Sequence, residues 1–122
     1  MSVMRHSEDH FTLITAAAAQ WHDFEILSRS LTQGLSLIDI TTEYGTLIIT
    51  GPKSRDLFHS LNTEADLETN WLTHQKAKIN DIECSLVRVS FAGELGWEIH
   101  ALNKDIAALY ELSIEAGAKP FG

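Results

Sequence analysis

Apolar and polar residues alternate along two arms of the stretch 88–100. Apolar residues take every second position of the first arm, and Trp97 begins the second. Two glycines, Gly93 and Gly96, bracket Glu94 between the arms. This pattern predicts two strands joined by a tight turn that presents Glu94 at its tip, because period-two alternation is typical of strands and glycine adopts turn conformations. An acidic turn of this kind is either a plain surface turn or part of a site.

The same reasoning predicts further strands and helices along the chain. The predicted strands lie at residues 11–15, 35–42, 44–50, 75–79 and 82–91, with a turn at Asn80-Asp81. The predicted helices lie at 17–33, after Gly51-Pro52, and from Asn103 to a Gly117 cap. Apolar stripes of helical period support them: Trp21, Phe24, Leu27 and Leu31; Leu57, Phe58 and Leu61; and Ile106, Leu109, Tyr110 and Ile114.

Together these elements predict an α+β fold. We expect a mostly antiparallel sheet with about three helices on one face, of the ferredoxin-like kind. Three consecutive apolar residues at 47–49 predict a strand that is central or covered on both faces, and Trp71 is expected to anchor its loop in the core. Residues 1–10 are polar, so we expect a disordered N-terminal tail followed by one domain over residues 11–122.

Composition narrows the classes of partner. The chain has 122 residues and a formal net charge of −8, with 17 acids against 9 bases. Nucleic acid and anionic membrane surfaces are therefore not expected partners, because both need a basic surface. No apolar run approaches the ~18 residues of a membrane span. The single cysteine, Cys84, excludes an internal disulfide and favours a reducing, cytoplasmic compartment.

No catalytic or metal-binding grouping emerges from the residues alone. No nucleophile lies near a base at a recognised spacing, and the six histidines are scattered. His6 and His10 would share a metal only on a helix that nothing in the segment predicts. Glu94 and Glu98 are separated by a turn, and nothing makes them converge. What remains is an acidic hairpin able to accept hydrogen bonds from a ligand with N–H donors.

The segment RVSFAGELGWEIH resembles the Arg-x-Ser-Tyr-x-Gly-Glu-x-Gly-Trp-Glu signature of the glycine-cleavage T-protein (aminomethyltransferase) family. The version fused to dimethylglycine and sarcosine dehydrogenases and oxidases is the most similar. Three other stretches agree with the family in order: residues 39–57, with a GP-x-SR-x-L motif; residues 9–23, with a D-x-F-x-L-x-T…HD pattern; and residues 116–122. The resemblance covers nearly the whole chain but only the middle of the family's domain.

The resemblance implies a three-part fold around a channel for tetrahydrofolate. It also implies transfer of a one-carbon unit onto folate from an amine adduct, or from an iminium made by a flavin domain. Within this chain it implies that Glu94 binds the pterin ring and that Phe91, where the family often has Tyr, lines the channel. Trp97, the tryptophan of the signature, is placed in the same site. The family's catalytic Asp and an Arg ligand contact fall outside the matched section, so no catalytic residue and no flavin site are expected here.

The partners implied are a reduced folate, a flavoprotein dehydrogenase, and the remaining portions of the domain. Because those portions normally cover apolar surface, we also expect self-association. Two other hypotheses stand beside this one. The chain is alternatively a non-catalytic binding or assembly module that keeps the fold without folate, or an unrelated ferredoxin-like domain with a chance hairpin.

Overall fold

A computed structural model describes residues 1–121, which fall into two compact units. The first spans Met1–Ile40 and the second begins at Thr41. The strands and helices follow in the order β1 Ser2–Arg5, β2 Phe11–Ile14, α1 Gln20–Ser30, β3 Tyr44–Thr50, α2 Ser54–Ser60, β4 His74–Ile79, β5 Ile82–Val87, β6 Gly96–Leu102 and α3 Asn103–Glu115. No helix within the described residues combines the length and apolar character that crossing a membrane requires.

The first unit corrects the prediction of a disordered tail. β1 pairs antiparallel with β2, Ser2 lying opposite Ile14 and Arg5 opposite Phe11. Met4 is the buried residue of β1. A run that looks polar in sequence therefore forms an ordered strand, because pairing with β2 satisfies the hydrogen bonds of its backbone. The strand does not need a continuous apolar face of its own.

The first unit also departs from the predicted helix and its second strand. α1 is preceded by a 3₁₀ turn at Ala17–Ala19 and ends at Ser30, short of the expected boundary at residue 33. None of its residues is buried, and Trp21 of the predicted apolar stripe is 79% exposed. Residues 35–42, predicted as a strand, form no strand. β-branched residues favour strands only where a partner and a covered face exist.

The second unit is a four-stranded antiparallel sheet with the strand order β3-β6-β5-β4. Trp97, Ile99 and Ala101 of β6 alternate into the core, where they meet Phe58 of α2 and Leu109 of α3. The predicted α+β class is thus confirmed. Within residues 41–121 the unit runs strand, helix, three strands, helix, which is not the β-α-β-β-α-β order of a ferredoxin-like domain.

Local signals locate the turn and the cap of the second unit correctly. Asn80 and Asp81 have φ of +47° and +68°, which makes the β4–β5 connection a type I′ turn. At the end of α3, Gly117 has φ of +101°, and the amides of Gly117 and Ala118 donate to the carbonyls of Ile114 and Ser113 at 2.9 Å. These two bonds form a Schellman motif, as the glycine predicts.

Three apolar residues lie in a different setting from the one that their pattern predicts. β3 is an edge strand rather than a central one, and Ile48 on its outer face is 54% exposed. Trp71 is 47% exposed and does not anchor its loop in the core. Tyr110 of α3 is 45% exposed, although it neighbours the buried Leu109. A hydrophobic pattern identifies a face but not whether a second layer covers it.

Leu109→Ala is expected to lower the free energy of unfolding by about 2–5 kcal/mol, because it removes a buried side chain that packs beneath the sheet. Urea denaturation followed by far-UV circular dichroism measures the change. Tyr110→Ala on the same helix is the matched control, with an expected cost below about 1 kcal/mol. Equal costs for the two variants would contradict this placement of the core.

Candidate functional site

The candidate site lies in the loop of residues 88–95, which joins β5 to β6. The first arm of the predicted hairpin ends at Val87, so the connection is longer than the tight turn expected from sequence. Gly93 has φ of +78°, a conformation that glycine adopts without strain. Glu94 follows it and is exposed. The loop therefore presents this carboxylate at one end of the sheet, as the pattern predicts.

Two hydroxyl groups hold Glu94 in place. The Ser90 Oγ accepts a hydrogen bond from the Glu94 amide at 3.0 Å, which closes the loop locally. The Thr50 Oγ1, at the end of β3, donates to Glu94 Oε2 at 3.0 Å. Among residues 1–121, no donor bonds to the other carboxylate oxygen, Oε1. The side chain is thus oriented through one oxygen while the other stays open to a ligand.

The carbonyl of Leu95 ties this loop to the turn that follows β3. It accepts hydrogen bonds from the Gly51 amide at 2.8 Å, from Ser54 Oγ at 3.1 Å and from Thr50 Oγ1 at 3.3 Å. Ser54 is buried, at 4% exposure. The Gly51 amide and Ser54 Oγ are the principal donors to this carbonyl and fix the peptide next to Glu94, so the Gly-Pro-Lys-Ser turn serves here as an anchor for the acidic loop.

Gly96 allows the two chains to approach closely at this point. A Cβ added there would lie 2.8 Å from the Ile49 carbonyl oxygen and 3.0 Å from Thr50 Oγ1. Real side chains do not tolerate such a distance to backbone, so glycine is required by space and not by a positive φ. The second glycine of the motif therefore serves the pairing of β6 with β3.

Trp97 is part of the core, which corrects the prediction that it contacts a ligand. The side chain has 0% exposure and meets Phe58 edge-on, with ring centroids 5.2 Å apart. The Arg88 guanidinium lies over the indole at 4.7 Å and donates to the Gly96 carbonyl at 3.1 Å. Trp97 therefore supports the base of the loop from below, and Arg88 links the two ends of the loop across it.

The loop that carries Glu94 also contains Phe91, the second residue predicted to contact a ligand. Phe91 is fully exposed in the loop, so its side chain is accessible to a ligand, and its role in lining a channel stays a prediction.

Glu98 accepts a hydrogen bond from His100 Nε2 at 2.9 Å, and His100 Nδ1 lies 2.9 Å from Thr46 Oγ1. The carboxylates of Glu94 and Glu98 thus have separate partners and form no acid–base pair.

Metal and thiol chemistry find no support within residues 1–121. This part of the chain holds no group of three or more His, Cys, Asp or Glu side chains able to bind a metal. Cys84 is buried in the core, and burial raises the pKa of its thiol to about 11. A buried protonated thiol is a packing residue and a poor nucleophile.

Sequence reasoning missed Thr50 and Ser54. Both belong to the stretch that carries the GP-x-S motif, but only the pairing of β3 with β6 brings that stretch to the Glu94 loop. The separation of Thr50 and Glu94 along the chain is 44 residues. The sequence offers one signal that could have pointed to Thr50 and Ser54. Two turns that contain glycine lie at the ends of two predicted strands.

Comparisons with known proteins bear on the family of the chain. The family model described as the GCVT N-terminal domain matches residues 1–122. The chain belongs to this family. Dimethylglycine dehydrogenase from the mitochondria of Rattus norvegicus is 34% identical over 96% of this chain, and the human enzyme is 30% identical over the same share. An aminomethyltransferase from Natranaerobius thermophilus is 29% identical over 98% of the chain.

The GCVT-family chain spans only part of each of these relatives. It covers 14% of the length of the dimethylglycine dehydrogenases and 34% of the aminomethyltransferase. The match confirms the family inferred from the RVSFAGELGWEIH segment. The activities named for the relatives belong to proteins that are much longer than this chain.

Gly96→Ala is expected to destabilise the second unit by about 1–3 kcal/mol, because the new methyl group meets the Ile49 carbonyl and Thr50. Amide chemical shifts measured by NMR are expected to change at Ile49, Thr50 and Glu94. Gly93→Ala is the matched control, since a Cβ there meets no atom within 4 Å and strains only the local backbone. Unchanged shifts at Thr50 in the Gly96 variant would contradict the proposed close approach.

Proposed function

We propose that this chain is the tetrahydrofolate-binding part of a one-carbon-transferring domain, related to the enzymes of glycine, sarcosine and dimethylglycine catabolism. The observation that carries the proposal is the Glu94 carboxylate, held through Oε2 by Thr50 and open at Oε1. It lies in the Gly-Glu-Leu-Gly turn of a chain that belongs to the GCVT family. Relatives in that family carry the name aminomethyltransferase.

The chemistry of the carboxylate suits a pterin. The aminopyrimidine edge of a reduced folate presents adjacent N–H donors, and a carboxylate accepts two such donors in one plane. Hydrogen bonds to an ionised acceptor are shorter and stronger than those between neutral groups. Phe91, exposed in the same loop, offers an apolar ring that can pack against the pterin.

We further propose that the 122-residue chain alone does not complete the transfer. The described site offers a positioned carboxylate but no nucleophile beside a base, and its neighbouring groups are hydroxyls engaged with the loop itself. The iminium or amine adduct would be supplied by a flavoprotein dehydrogenase partner or by the remaining portions of the domain. One wall of a channel gives only part of the affinity of the whole site.

A non-catalytic binding or assembly module is the alternative. It is favoured by α1, which buries none of its residues and so offers a surface for another polypeptide. A single cysteine, Cys84, suits a reducing compartment such as the cytoplasm, which we include in the proposal for either function.

Glu94→Gln is expected to weaken binding of folinic acid, an air-stable reduced folate, by at least about tenfold, because a charge-assisted hydrogen bond contributes about 1.5–3 kcal/mol. Isothermal titration calorimetry of the purified chain measures the change. Glu98→Gln is the matched control with the same substitution on a carboxylate that bonds to His100, and its affinity is expected to equal that of the wild type.

Equal affinity of the Glu94 variant and the wild type would remove Glu94 from the site. No saturable heat with the wild-type chain would overturn folate binding and favour the assembly module.

We also propose that the isolated chain self-associates through the first unit. Trp21, Leu35 and Ile38 are each more than half exposed there, and exposed apolar surface promotes association in water. Sedimentation velocity is expected to show a species larger than a monomer that dissociates on dilution. Trp21→Gln is expected to shift the equilibrium to monomer, whereas Trp71→Gln in the second unit is not. A monomer at all concentrations would contradict the proposal.

A further inference from the structure

The side chain of Thr50 connects the end of β3 to the acidic loop. Its Oγ1 lies 3.0 Å from Glu94 Oε2 and 3.3 Å from the Leu95 carbonyl oxygen. A hydroxyl carries a single hydrogen, and both neighbours are acceptors. The shorter distance is to the carboxylate, so Glu94 is the principal acceptor. Among residues 1–121, this is the donor that bonds to the Glu94 carboxylate.

The geometry of the strand pair makes this contact possible. Thr50 lies opposite Gly96 in the register of β3 and β6. A Cβ at Gly96 would sit 3.0 Å from Thr50 Oγ1, in the space next to the hydroxyl. The missing side chain of Gly96 therefore leaves room for the threonine side chain. Threonine is also stiff about its first side-chain torsion, because it is branched at Cβ.

The contact has a consequence for the carboxylate. A glutamate exposed on a loop samples several rotamers, and fixing one of them on binding costs conformational entropy. A donor on Oε2 that belongs to the rigid sheet holds the group before a ligand arrives, and it sets the direction in which Oε1 points. Preorganisation of this kind increases affinity without adding a contact to the ligand.

We propose that Thr50 is a positioning residue for Glu94, acting through its hydroxyl and not by touching the ligand. The inference rests on the proposed function in so far as Glu94 is the group that binds the reduced folate. It deepens that function by assigning the orientation of the ligand-binding carboxylate to β3, an element far from the loop in sequence. Ser54 has the complementary role, since its Oγ bonds to Leu95 alone.

Three variants separate positioning from simple support of the fold. Thr50→Val keeps the shape of the side chain but removes the donor. Thr50→Ser restores the donor without the methyl group. Ser54→Ala removes a buried bond to the Leu95 carbonyl and leaves the Thr50–Glu94 contact in place. The Ser54 variant is expected to lower stability and to weaken folinic acid binding less than Thr50→Val does, because it loosens the Leu95 peptide but leaves the donor on Glu94 in place.

The first measurement needs no ligand. Side-chain coupling constants from NMR report whether Glu94 occupies one rotamer or several. The wild type and Thr50→Ser are expected to show one dominant rotamer, and Thr50→Val an average over several. A single rotamer in Thr50→Val, or averaging in the wild type, would overturn the inference.

The second measurement is calorimetric titration with folinic acid. Thr50→Val is expected to bind about five- to tenfold more weakly than the wild type, with Thr50→Ser within about twofold of it. Equal weakening by Thr50→Val and Ser54→Ala would show that the Leu95 carbonyl, and not Glu94, carries the effect. If the wild type shows no saturable heat, the proposed function fails, and the rotamer measurement alone decides the role of Thr50.

Discussion

The candidate site depends on the carbonyl of Leu95, which accepts hydrogen bonds from Gly51, Ser54 and Thr50. A backbone carbonyl has two lone pairs, and the Gly51 amide at 2.8 Å and Ser54 Oγ at 3.1 Å saturate them. These hydrogen bonds join the end of β3 to the start of β6 and leave the peptide next to Glu94 little freedom. An exposed loop would otherwise be among the more mobile parts of a small domain. Its acidic residue is instead supported by a sheet edge and a buried serine.

The base of the loop is held by a second interaction, on the core side. The Arg88 guanidinium stacks over Trp97 and donates to the Gly96 carbonyl, so it closes the loop where it leaves β5. The support has a cost, because Trp97 Nε1 and Arg88 Nε are buried without a hydrogen-bond partner among the described residues. Burial of the indole against Phe58 offsets that cost. Packing below the sheet and hydrogen bonds at its edge thus both stabilise the loop of residues 88–95.

Sequence reasoning succeeded where the physical signal is local. Asn80-Asp81 suits a type I′ turn, and Gly117 suits a Schellman cap, because each residue type favours the required backbone angles by itself. It failed where the outcome depends on a partner. Residues 35–42 have strand-like composition but form no strand, while residues 2–5 look like a tail and pair with β2. Trp97 was assigned to a ligand although its alternation with Ile99 already places it on the buried face.

The same distinction explains why sequence reasoning singles out Glu94 as a candidate and not Thr50. Glu94 sits between two glycines, a pattern visible in a window of a few residues. Thr50 acquires its role only when β3 and β6 align with Thr50 opposite Gly96, and a shift by one residue would turn the hydroxyl to the other face of the sheet. The orientation of the carboxylate is therefore a property of strand register. Any change that moves this register is expected to act on the site, even when it leaves the loop sequence intact.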